Sequence, residues 1–148
     1  MEEQKELREG FRQQQEKYVY YIIALAVTAI GFSIYTTTGK PLEWSQIPLG
    51  LSVLSWGASI FCGLTFIKYV LSTMYANYKY FDVSKGRDPE VGSNPERIEG
   101  VKRGIKSAMT SNVGTAEKYF DWQQKLFYAG ACLFIIWHVV EMYLNTVS

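Results

Sequence analysis

The sequence predicts an all-α integral membrane protein: three transmembrane helices, cytoplasmic helical extensions and one short amphipathic helix. Three observations carry this expectation. No charged residue lies between Lys17 and Lys40, so 22 uncharged, mostly apolar residues follow one another. As a helix they rise about 33 Å, enough for a hydrocarbon core of roughly 30 Å. Ser45 to Ile67 and Leu126 to Val140 are further uncharged apolar stretches, while the charges collect in residues 2–17 and 79–125.

Residues 2–17, EEQKELREGFRQQQEK, favour helix apart from Gly10. They read as a cytoplasmic extension of the first span, about four turns long. The first span is placed at 18–38. Its small residues, Ala24, Thr28 and Gly31 together with Ala26, Ala29 and Ser33, leave room for a neighbouring helix. Gly39 and Pro41 end it. The connection is short, so the first two spans form an antiparallel hairpin. Trp44 reads as an interfacial anchor and Ser45 as the N-cap of the next helix.

The second span is placed at 45–68. Ser55, Ser59 and Gly63 recur at every fourth position, a line of small residues that lets two backbones approach closely in lipid. The partner is either the first span or another subunit. Lys68 reads as a snorkelling residue at the cytoplasmic boundary. Beyond it Leu71, Met74, Tyr75 and Tyr78 keep one helical face apolar. The helix is therefore expected to leave the bilayer and pack against something.

Residues 69–124 form the cytoplasmic segment. Gly86, Pro89, Gly92 and several charges make 83–93 a loop. Asn94, Pro95 and Glu96 are a helix start, with a cap, a proline at the first position and an acid in the first turn. An amphipathic helix is predicted over 95–109. Ile98, Val101, Ile105 and Met109 share one side, and Arg97, Lys102, Arg103 and Lys106 occupy much of the rest. Such a helix either lies on an anionic membrane surface or packs its apolar stripe on the other helices. Gly114 is expected to break the chain and Thr115 to cap a last helix, with the third span at 125–144.

Charge sets the topology. With three spans, residues before 18 and residues 79–125 share a side and hold 13 Lys or Arg, against Lys40 alone on the other. The positive-inside bias puts the N-terminus in the cytoplasm and the C-terminus outside. A cleavable signal peptide is not expected, because the first apolar run is longer than a signal core and no A-x-A site follows it.

Chemistry has few places to sit. His138 and Glu141 are the ionisable residues inside the third apolar stretch; with Asn145 they share one helical face. A polar face at that depth lines water or a subunit contact, or else sits hydrated at the outer headgroups. No G-x-S-x-G, Walker, H-E-x-x-H or G-x-G-x-x-G motif occurs, and there is one histidine. Neither an enzyme, a catalytic residue, a cofactor nor a metal site is expected. Cys62 and Cys132 lack the spacing of a thiol metal site. A net charge of +1 argues against nucleic-acid binding.

Two functional readings follow. The first is a small multi-pass inner or plasma membrane protein that self-assembles through its transmembrane helices into a homo-oligomer, forming a pore or perturbing the bilayer. The second is a non-conducting accessory or scaffold subunit that anchors a partner at the cytoplasmic membrane face. Size and architecture are similar to small bacterial membrane effectors and holin-like proteins, without a shared motif. The scarcity of polar residues in the first two spans disfavours a wide water-filled channel.

Overall fold

Backbone groups removed from water must bond one another, and an unbroken helix satisfies this within its own segment. In the computed structural model, which describes residues 1–147, 88% of the chain is helical and no described residue is in a strand. Helix α1 spans Glu2–Thr37, a 3-10 turn spans Trp44–Gln46, α2 spans Ile47–Ser84 and α3 spans Pro95–Val147. All three helices are long and apolar enough to cross a membrane.

Helix α1 runs through Gly10 without interruption. It ends where the Thr38 N–H donates to the Ile34 carbonyl (3.0 Å) and Gly39 turns to φ 81°, left-handed geometry that a side chain would resist. The expected cap at Ser45 is not formed. Ser45 lies inside the 3-10 turn, and the chain enters α2 already coiled. Gln46 closes this turn: its N–H donates to the Glu43 carbonyl (3.0 Å) and its side-chain amide to the Pro41 carbonyl (3.1 Å). Pro48 sits in the first turn of α2, where its missing N–H is not required.

The expected break at Gly114 is also absent. Rather than a short helix over 95–109 followed by a second one, α3 is a single helix of 53 residues, about 80 Å long. Asn94 caps it as expected, its side-chain oxygen accepting the Glu96 N–H at 3.0 Å. A glycine inside a helix costs about 1 kcal/mol. Packing on either side of Gly114 outweighs this: Asn112 donates to the Ser72 hydroxyl, Ala116 is buried, and Tyr119 stacks on Tyr69. Thr115 bonds back to the Ser111 carbonyl (3.0 Å), as a helical threonine does, instead of capping.

The chain forms two compact units. The first comprises Met1–Gly63 and the chain from Phe120 onward. Here α2 runs antiparallel to α3, pairing Ser52 with Gly130 and Ser59 with Gln123, while α1 runs parallel to α3, placing Tyr18 by Phe120 and Phe32 by Phe134. Val19, Ile22, Ala26, Leu49 and Trp56 are buried in it.

The second unit, Leu64–Tyr119, is a helical hairpin. Phe66, Val70, Val83 and Ala116 are buried, the Tyr69 and Tyr119 rings stack at 6.1 Å, and the Lys102 ammonium lies over the Tyr80 ring at 5.4 Å. Asp88 locks its tip. The buried carboxylate accepts the Glu90 and Val91 N–H groups at 2.9 and 3.3 Å, and the Lys79 ammonium lies 3.4 Å away. The backbone donors, the Glu90 N–H foremost, and then Lys79 hold the Asp88 carboxyl below the usual carboxylate range. Asp88 in turn raises Lys79.

A carboxyl whose folded pKa is depressed stabilises the fold fully above its unfolded value near 4, and that contribution is lost as pH falls through the lower folded value. Amide exchange protection over 85–94, corrected for intrinsic rates, should therefore fall as the pH drops below about 4. Asp88→Ala should remove that pH dependence and leave the loop weakly protected throughout, while Glu90→Ala should retain it.

Candidate functional site

Polar side chains in the apolar parts of the helices point to where the chain has specific contacts. On α2 the Ser52, Ser55 and Ser59 hydroxyls donate to the backbone carbonyls of Gly130 (2.6 Å), Leu126 (2.6 Å) and Gln123 (2.8 Å) on α3. The Trp56 indole N–H donates to the Phe127 carbonyl at 3.2 Å. The line of small residues thus faces the third helix of its own chain. Gly63 continues it: a Cβ there would overlap the side-chain amide of Gln123. Gln123 is fully buried; its amide N–H reaches toward the Val19 carbonyl of α1 at 3.4 Å, and its side-chain oxygen is unpartnered. Ser52 was readable as one more step of the serine line. Gln123 and Gly130 carried no such signal, because the serines bond backbone rather than side chains.

His138, Glu141 and Asn145 do come together, in a cleft of about 430 Å³ between the C-terminal ends of α1 and α3. Lys40 and Thr36 join them, so the cleft brings an ammonium and a carboxylate into one lining. Its apolar side is aromatic: Phe32, Phe134 and Trp137, with the last two rings 5.5 Å apart. Trp137 is buried and its indole N–H has no hydrogen-bond partner among the described residues. From His138 to Asn145 the polar face rises only about 10 Å.

The four basic residues predicted for the amphipathic segment 95–109 separate. Arg97, Arg103 and Lys106 are exposed, whereas Lys102 is half-buried against Tyr80. Ile98, Ile105 and Met109 are half-buried within the hairpin and Val101 is exposed. On α2, Leu71, Met74, Tyr75 and Tyr78 lie on a continuous helix as expected, yet they are left largely uncovered. Each is more than half exposed, as are Leu64 and Phe81.

No group of three or more His, Cys, Asp or Glu side chains placed to hold a metal occurs among the described residues. No family model, curated protein or solved structure matches the chain.

Hydrogen bonds between helices in a bilayer contribute about 0.6 kcal/mol each on average. Replacing Ser52, Ser55 and Ser59 together by alanine should lower bundle stability by about 2 kcal/mol in detergent-titration unfolding. Gly63→Ala should cost more than any one serine, because its methyl group collides with a buried amide. Gln123→Ala should relieve that penalty, and Gly31→Ala, which meets nothing within 4 Å, should be silent.

Proposed function

We propose that the chain is a non-conducting scaffold subunit of a plasma membrane, held by three spans and assembling through its cytoplasmic hairpin. The observation that carries this reading is where the polar groups of the apolar helix segments go. The hydroxyls of Ser52, Ser55 and Ser59 are engaged by α3 carbonyls inside the chain. They are therefore not available to line a lumen shared between subunits, which disfavours a wide water-filled channel. The His138–Glu141–Asn145 face covers about a third of a roughly 30 Å core. It supplies a polar end, not a path.

The same helices run far beyond what crossing requires. About 20 residues cross a bilayer, whereas α2 has 38 and α3 has 53. With the loop that joins it, the excess holds eight of the 15 Lys and Arg residues, and by the positive-inside rule it lies in the cytoplasm. A hairpin with its own buried side chains and a locked tip is what a membrane-anchored scaffold presents. Exposed Arg97, Arg103 and Lys106 suit it to the anionic inner leaflet or an acidic partner.

In planar bilayers the reconstituted protein should give no conductance above protein-free controls. A steady conductance that Glu141→Leu abolishes would sink the scaffold and restore a pore built on the Lys40–Glu141 cleft.

A further inference from the structure

The hairpin buries one side of α2 and leaves the opposite side open. Phe66, Val70, Thr73 and Val83 face inward; Leu64, Leu71, Met74, Tyr75, Tyr78 and Phe81 are exposed. On the proposed topology, lipid tails cannot cover most of this stripe. Ser45 to Ile67 already rises about 34 Å, and Leu71 and Phe81 lie about 6 and 21 Å further on.

We propose that a second copy of this chain covers the stripe, its α2 parallel and in register about a two-fold axis normal to the membrane. This rests on the scaffold reading and names its partner. Three arguments select the occupant.

The first is spacing. Leu64, Leu71 and Tyr78 are seven apart, and Ile67, Met74 and Phe81 fall three residues after each. This 3-4 repeat is the a/d seam of a coiled coil, kept over two and a half heptads. A lipid-facing or randomly exposed surface has no reason to keep it.

The second is symmetry. Two copies inserted with the same topology have parallel α2 helices, and a two-fold contact places each seam residue opposite its own counterpart. Apolar and aromatic positions then meet themselves. The flanking positions bring no like charges together: in a parallel pair Asp82 falls beside the partner's Asn77.

The third is area. Aromatic side chains bury roughly 150–250 Å² each. Six large side chains, each more than half exposed, supply on the order of 1,000 Å² from both copies, about the lower bound of a specific interface.

The test is disulfide trapping of the full chain in phosphatidylethanolamine–phosphatidylglycerol vesicles, with Cys62→Ala and Cys132→Ala as background. Leu71→Cys and Tyr78→Cys should each oxidise to a dimer on the order of ten-fold faster than Lys106→Cys on α3, because an in-register seam raises the local thiol concentration. Adding Tyr78→Lys to Leu71→Cys should abolish the difference. Oxidation at Leu71 and Tyr78 no faster than at Lys106 would overturn the second copy. If the Leu71→Cys thiol is then also shielded from a water-soluble maleimide, the stripe belongs to lipid. Conductance of the same vesicles separates the two claims. Silent vesicles without seam disulfides leave the scaffold standing, whereas a Glu141-dependent conductance removes the scaffold whatever the disulfides show.

Discussion

Away from water a hydroxyl proton must find its acceptor inside the protein, and that constraint organises the apolar segments of these helices. Three serines spaced at three and four residues on α2 meet three backbone carbonyls at matching spacing on α3. The match requires the two helices to run antiparallel at close range with a fixed register. Small residues make the approach possible: Gly63 leaves room for the Gln123 side chain, and Gly130 leaves room for the Trp56 indole. Once that register is set, Gln123 is placed where its amide points at the Val19 carbonyl, so α1 is drawn into the same arrangement. Packing in lipid lacks the hydrophobic driving force available in water. Shape and hydrogen bonds have to supply it, and this ladder supplies both.

The hairpin solves a different problem with different chemistry. Its helices bury Phe66, Val70 and Val83, and aromatic stacking and a cation over a ring take the place of hydroxyl–carbonyl bonds. Its loop closes on Asp88, whose backbone contacts and Lys79 partner hold a carboxylate that is almost out of solvent. An ion pair in that position contributes mainly by fixing one loop conformation, because desolvation offsets much of the attraction. The two units thus differ in what holds them, hydroxyl–carbonyl bonds in the first and aromatic and cation–ring contacts in the second.

Much of this was legible in the sequence because charge is such a coarse signal. Uninterrupted apolar stretches gave the positions of the three helices, and Asn94–Pro95–Glu96 gave the start of α3. The partner of Ser55 and Ser59 was not legible, since a backbone carbonyl has no residue type to announce it. Gly114 read as a break because local propensity says so; buried Ala116 and the Tyr69–Tyr119 stack, contacts distant in sequence, override it. The face of His138, Glu141 and Asn145 follows from helical periodicity alone. That Lys40 and Trp137 line the same cleft depends on the register of α1 against α3, which no local pattern encodes.

The acceptors of the ladder belong to the backbone, and this bears on how the protein is made. Helix α2 is complete some 60 residues before the end of α3, so its serines are made before their partners. A helical serine can meanwhile bond the carbonyl one turn behind it. Each hydroxyl then needs only a change of rotamer to exchange that bond for one to α3 when the last helix arrives. The exchange is therefore local, and the chemistry of the ladder suits the order in which its two sides are made. The arrangement is also one-sided. All donor side chains lie on α2, so the sequence of α3 opposite them is free to drift wherever a backbone and enough space are all that is asked of it.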